Sequence, residues 1–193
     1  MLQRLYGNWV YGGMLAGILL LCLTPLLLSG WSLAMIAVFL QLPVYMLHQY
    51  EEHDAGRFGQ FINSEIGEGH TVLSDAAIFV INVPGVWGIN ALSLWLAALF
   101  GAGFGLIGIY LTLVNALVHL APAIRMRMYN PGLVTAAVLF LPVGIWALIA
   151  VSAAPGVTVA HHALGLASAL FIHAAIVAHV FRNRRQYRGT AVR

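Results

Sequence analysis

Residues 31–53 read WSLAMIAVFLQLPVYMLHQYEEH. From Trp31 to Leu47 there is no charged side chain, and then His48, Glu51, Glu52 and His53 arrive together. A helix rises 1.5 Å per residue, so a bilayer core of about 30 Å needs roughly 20 apolar residues. The stretch therefore reads as a transmembrane helix that carries its ionisable groups to one end. The fold follows from how many more such stretches the chain holds.

Five others are present: approximately Val10 to Leu28, Ala76 to Leu99, Phe104 to Ile124, Leu133 to Ala153 and Val159 to Phe181, with Trp31 to His53 as the second of six. Ser29-Gly30, Gly101-Ala102-Gly103 and Ala154-Pro155-Gly156 are breaks short enough for hairpins only. Asp54 to Asp75 is the one substantial loop. The first run is followed by five of similar length, so it reads as a retained span and not a signal peptide. Composition agrees: 61% of the 193 residues are hydrophobic and 8% charged, with a mean hydropathy of +0.89, against roughly a quarter charged in soluble domains. The expected fold is all-α, a single multi-pass domain over 1–193 with about six transmembrane helices. Cys22 stands alone and forms no intrachain disulfide.

Charge placement tests the span count independently. The basic residues are Arg4, Arg57, Arg125, Arg127, Arg182, Arg184, Arg185, Arg188 and Arg193, and with six spans all fall on one side. The positive-inside rule makes that side cytoplasmic, so the N- and C-termini are cytoplasmic and the protein belongs in a cell membrane. The pI near 9.4 then reflects topology and attraction to lipid headgroups, about 1 kcal/mol per basic residue. Membrane lipids are the expected partners and nucleic acid is not. Gly13 and Gly17, and Gly101 and Gly105, have the four-residue spacing of close helix approach, read here as packing within the chain. Pro84, with Gly85 and Gly88, predicts a kink in the third span.

All six acidic residues lie between Glu51 and Asp75. His48, Glu51 and Glu52 share a helix face by three- and four-residue spacing, with His53 pointing elsewhere. Ionisable groups bordering a span suggest a functional site. Counting from the span ends, His119 lies about 7 Å, Asn82 about 10 Å, His173 about 12 Å and Asn115 about 13 Å inside, which places them in the same slab as the His/Glu cluster. His161 and His162 open the last span on the far side as a solvated pair, His70 sits exposed in the loop, and His179 sits among headgroups. In Tyr129-Asn130-Pro131-Gly132, Asn130 reads as an N-cap, Pro131 as a first-turn residue, and Gly132 as a point of close approach. With Arg125 and Arg127 nearby, this helix start also fits an anion. Phe58, Phe61, Ile62 and Ile66 predict a short amphipathic helix on the cytoplasmic surface, placed to lid the site.

His48-Gln49-Tyr50-Glu51-Glu52, then His119, then Tyr129-Asn130-Pro131-Gly132 resemble in order the three motifs of bacterial membrane proteins called HXXEE domain-containing proteins. The resemblance implies membership of that family and with it a bacterial inner-membrane location, and no activity.

The residues themselves suggest a metal-dependent membrane hydrolase or oxidoreductase acting on a lipid or other small lipophilic substrate. His48, Glu52 and His119 are the candidate ligands for a divalent metal, zinc or iron. Glu51, Glu52, His119 and Tyr129 form the candidate catalytic set, with Glu51 a general base or an outer carboxylate. The spacing differs from H-E-x-x-H and H-x-x-E-H, because Glu52 stands where the latter has its second histidine. Three other readings stay open: a metal-free isomerase or cyclase using the same carboxylates, a proton-coupled transporter, and a structural cap on the second span.

The topology predicts that single cysteines introduced in the 54–75 loop are shielded from an impermeant thiol reagent in intact cells. Cysteines at Gly103 and Gly156 should be labelled, and labelling of those two from inside only would overturn the assignment.

Overall fold

A computed structural model describes the backbone of residues 1–190 and side chains through Tyr187. Arg193 therefore lies outside the described residues, and Arg188 is described by its backbone alone. The helices are α1 (Leu2–Leu27), α2 (Leu33–His53), a short α3 (Arg57–Phe61) that widens into a π-type turn over Ile62–Ile66, α4 (Asp75–Phe100), α5 (Ala102–Met126), α6 (Leu133–Ser152) and α7 (Val159–Thr190). Six of them, all but α3, are long and apolar enough to cross a membrane, and no strand occurs among the described residues.

Local chemistry sets the starts. Ser32 Oγ accepts from the Met35 amide at 3.3 Å and Ser74 Oγ from the Ala77 amide at 3.3 Å, each satisfying a free N–H at a helix N-terminus. The kink expected at Pro84 is a widened turn over Ile81–Trp87, where proline lacks the N–H that would close the α-helical bond. Two helices outrun the apolar stretches that announce them. α1 begins at Leu2, not near Val10, with Asn8 Nδ2 donating to the Arg4 carbonyl at 2.7 Å and Tyr6 against Phe79 at 5.2 Å. α7 continues beyond Phe181 through the arginines. Hydropathy marks where lipid begins; a helix that satisfies its own backbone has no reason to stop there.

α2 is the hub. It packs along α1 and against α4, α5 and α6, while α7 packs mainly on α5. Its polar side chains are consequently buried and paired: Tyr45 Oη donates to the Leu111 carbonyl at 3.0 Å, and Gln49 Nε2 donates to Asn82 Oδ1 at 2.8 Å. Close helix approach falls within the chain, as expected. A Cβ at Gly13 would meet Trp87 at 2.7 Å, one at Gly17 would meet Met46 Cβ at 2.9 Å, and one at Gly105 would meet Val38 Cγ2 at 2.1 Å. Gly101 is different: it ends α4 as a turn with φ +119°, and a Cβ there would meet nothing within 4 Å.

Contacts put the start of α1, the 54–74 loop and the end of α7 at one end of the bundle. Tyr11 Oη donates to Asp54 Oδ1 at 3.0 Å, and Asn183 Nδ2 donates to the Val72 carbonyl at 2.9 Å. The other end gathers Phe104 against His161 at 5.1 Å, and His162 between Tyr110 Oη at 3.0 Å and Ser152 Oγ at 3.4 Å.

Gly165 tests the α5–α7 seam, because a Cβ there would stand 2.7 Å from the Leu106 carbonyl oxygen, backbone that cannot swing aside. Gly165→Ala should lower stability by about 1–3 kcal/mol, read as a fall in thermal midpoint in detergent. Gly12→Ala, which meets nothing within 4 Å, should be neutral or stabilising.

Candidate metal centre

His48 and Glu52 lie one turn apart on α2, and α5 brings His119 to them. Glu52 Oε2 is 3.6 Å from His48 Nε2, and Glu52 Oε1 is 3.5 Å from His119 Nε2. One ligand atom from each of the three residues falls within 4.8 Å of the other two, and all three residues are buried. His53 was expected to point away and does not. Its Nε2 is 3.1 Å from Glu52 Oε2, because Trp9 at 5.2 Å and Phe58 at 5.3 Å hold the ring against the carboxylate. Helical spacing gives no signal for such a contact, since neighbouring side chains leave a helix in different directions.

The outer nitrogens of the two imidazoles are committed. Thr135 Oγ1 donates to Glu51 Oε2 at 2.6 Å, so at 2.8 Å His48 Nδ1 must be the donor to that same hydroxyl. Asn130 Nδ2 donates to the His119 carbonyl at 2.9 Å, which turns Asn130 Oδ1 to accept from His119 Nδ1 at 2.8 Å. In neutral imidazoles both Nε2 atoms are then bare lone pairs facing a carboxylate, and His48 Nε2 is buried without a hydrogen-bond partner. Lone pairs and anionic oxygens crowded in a low-dielectric interior repel unless a cation stands among them. Two imidazole Nε2 atoms and one carboxylate, with each Nδ1–H held by a second residue, form a donor set suited to zinc or iron.

Glu51 meets His48 through the shared Thr135 hydroxyl and not at the Nε2 side. Its carboxylate crosses to the start of α6, accepting from Val134 N at 3.1 Å, Thr135 N at 2.7 Å, Thr135 Oγ1 at 2.6 Å and Tyr129 Oη at 2.9 Å. The anion site expected at that helix N-terminus is thus filled by the chain's own glutamate, as the free N–H groups and helix dipole favour. Asn130 is likewise not the N-cap: Gly132 occupies that position with φ +94°, and Asn130 is free to orient His119. Partial burial first, and the adjoining Glu51 carboxylate next, hold the Tyr129 phenol above its ordinary pKa. Gly132 is required by space as well as by φ, since a Cβ there would lie 2.8 Å from His119 Cε1 and 2.9 Å from His48 Cε1.

Beside the cluster lies a cavity of about 290 Å³. Glu52, His53 and His119 are on its wall, with Asn115 and His173 lining it as well. His173 Nδ1 bonds the Ala169 carbonyl at 2.8 Å. Phe58, Phe61, Ile62 and Ile66 also line it, so the amphipathic segment turns its apolar stripe inward, onto the cavity and a core containing Trp9, Val72 and Ile78. It covers the site, as expected of a lid. The reversal after α2 that allows this uses positive φ at Ala55 (54°) and Gly56 (71°).

The family model for "protein of unknown function with HXXEE motif" matches residues 39–147, a range that includes His48, Glu51, Glu52, His119, Tyr129 and Thr135. Comparison with curated proteins and with solved structures gave no match.

Gly132→Ala should be more destabilising than Gly69→Ala, measured by thermal unfolding. Both positions carry positive φ, +94° and +86°, and share a backbone cost of roughly 1 kcal/mol, but only the first drives a methyl into the two histidine rings. Equal losses would show that the rings yield freely.

Proposed function

The chain belongs to the HXXEE-motif family, and we propose that it is a membrane-embedded, metal-dependent enzyme in which His48, Glu52 and His119 hold a zinc or iron ion beside a cavity for a lipophilic substrate. The observation that carries the reading is the pair of bare Nε2 atoms converging on Glu52, each with its Nδ1–H tied elsewhere. Three protein ligands leave an ion a further position, as catalytic sites require. A divalent ion supplies a Lewis acid that polarises an oxygen or makes water nucleophilic near neutral pH.

The chain's own groups have distinct parts. Glu51 keeps His48 in the Nδ1–H tautomer through Thr135, so its role is to orient, with both of its oxygens engaged. Tyr129 holds Glu51 in place. His173 offers a hydrogen bond to a substrate within the cavity, and the apolar walls exclude water from it. A cap on the end of α2 would leave these groups at the surface and paired with arginines. Instead His48, Glu52 and His119 are 0%, 6% and 3% exposed, and the ion-pair partners of Glu52 are histidines. The arginine distribution supports a cell-membrane location with the loop end in the cytoplasm.

Protein purified without chelators should contain about one zinc or iron ion per chain by elemental analysis. Glu52→Gln keeps the shape and should abolish binding. Glu51→Gln should keep the fold and weaken metal affinity by about 10- to 100-fold, the usual cost of losing a group that orients a ligand. A metal-free wild type from metal-supplemented cells, or a Glu52→Gln protein that retains metal fully, would overturn the reading in favour of proton transfer by the same residues.

A further inference from the structure

The side of α7 beyond the cavity carries chemistry that neither the metal cluster nor topology accounts for. α7 divides its last described turns between two faces. One face is occupied: Asn183 bonds the Val72 carbonyl at 2.9 Å, Arg184 pairs with Glu68, and Tyr187 stacks on His70 at 4.9 Å. The other presents Ala178, Phe181, Arg182 and Arg185, which line a second, open pocket together with Gln186. Arg182 and Arg185 are exposed and, like Arg4, Arg125 and Arg127, have no side-chain ion pair or hydrogen bond among the described residues; they differ from those three in lining one pocket together. The positive-inside rule requires arginines at this end; it does not require two unpaired ones on one face beside a cavity.

Phe181 belongs to the walls of both pockets, so the arginine pocket adjoins the 290 Å³ cavity. Val118 and Met126 of α5 and Val177 and Phe181 of α7 line that cavity and also lie exposed on the outside of the bundle. In a bilayer these are lipid-facing side chains, which gives the cavity a lateral wall open to acyl chains. Its volume is at the low end of ligand cavities, roughly 300–1,000 Å³, and suits a single chain. Glu65 lines the α3 side, leaving the α7 side as the edge that accepts an anion.

We propose that the ligand of this cavity is a single-chain lipid with an anionic head, a phosphate or carboxylate, the head held by Arg182 and Arg185 and the chain lying in the cavity against Glu52 and His119. The proposal rests on the reading of the cavity as a substrate site and names the substrate class. Arginine suits the task because its fork of N–H donors bonds such oxygens with charge assistance. At 1.5 Å per residue Arg182 stands about 14 Å along α7 from His173, so the part of the substrate presented to the cluster is the chain or its linkage and not the head.

Native mass spectrometry in a neutral detergent tests this with 1-oleoyl lysophosphatidic acid, neutral monoolein and inorganic phosphate as probes. One lysophosphatidic acid should bind per chain, with monoolein at least about tenfold weaker and phosphate not retained. The double variant Arg182→Gln/Arg185→Gln should weaken the lipid about tenfold or more, and Arg4→Gln, at the same end of the bundle, by less than about twofold. Ile176→Trp, filling the cavity, should weaken it as well; if that variant does not fold, the arginine pair and the monoolein comparison still decide. Unchanged binding in the double variant, an equal loss with Arg4→Gln, or equal retention of monoolein or free phosphate would overturn the proposal. Lipid binding by wild-type protein that carries no metal sinks the catalytic reading alone, and metal in wild-type protein without lipid binding sinks this one alone.

Discussion

Glu52 brings a carboxylate into the interior of an apolar bundle, and an unbalanced charge there is among the most costly things a membrane protein can hold. The surrounding structure is arranged around that cost. α2 runs through the middle of the bundle, α5 delivers His119 opposite it, and Trp9 and Phe58 from two further segments press His53 onto it. Burial of the carboxylate also excludes water, so whatever neutralises it does so in a low dielectric where the attraction is strong. The two imidazoles and the carboxylate together form a group that could hold a cation.

The second constraint is the start of α6. A helix N-terminus inside the protein needs acceptors for its free N–H groups, and Glu51 supplies them from across the bundle. That contact fixes Thr135, Thr135 fixes His48, and the loop before it supplies Asn130 for His119 and room for both rings over Gly132. The two adjacent glutamates thus do different work because one residue of helix turns a side chain by about 100°. One anchors the neighbouring helix; the other faces the histidines.

Much of this was legible in the residues. Six apolar stretches and one-sided arginines give six long helices, and the one-turn spacing of His48 and Glu52 with the depth of His119 foreshadows their meeting. The helix ends were less legible at Leu2 and beyond Phe181, because apolarity reports the solvent and not the backbone. Helical spacing places Glu51 near His48, where Thr135 links the two, but it cannot show that α6 offers its N-terminus to the same carboxylate. His53 was missed because only packing by Trp9 and Phe58, distant in sequence, turns its ring. The amphipathic stripe of 58–66 is legible as a stripe, and of the two roles open to it the structure shows the lid over the chain's own cavity. Periodicity says that a face is apolar and is silent about what it covers.

The docking of the end of α7 onto the loop has a mechanical sense. Arg184 on Glu68, Asn183 on Val72 and Tyr187 on His70 fasten the last turns of one helix to the segment that follows the cavity's cover. These fastenings lie past the apolar part of α7, where water competes for them and exposed ion pairs are weak. The cover is therefore latched from outside the bundle and filled from inside it. The extension of α7 past its apolar stretch thus works as a strap on the segment that follows the cover, while the side wall between α5 and α7 carries no such fastening among the described residues.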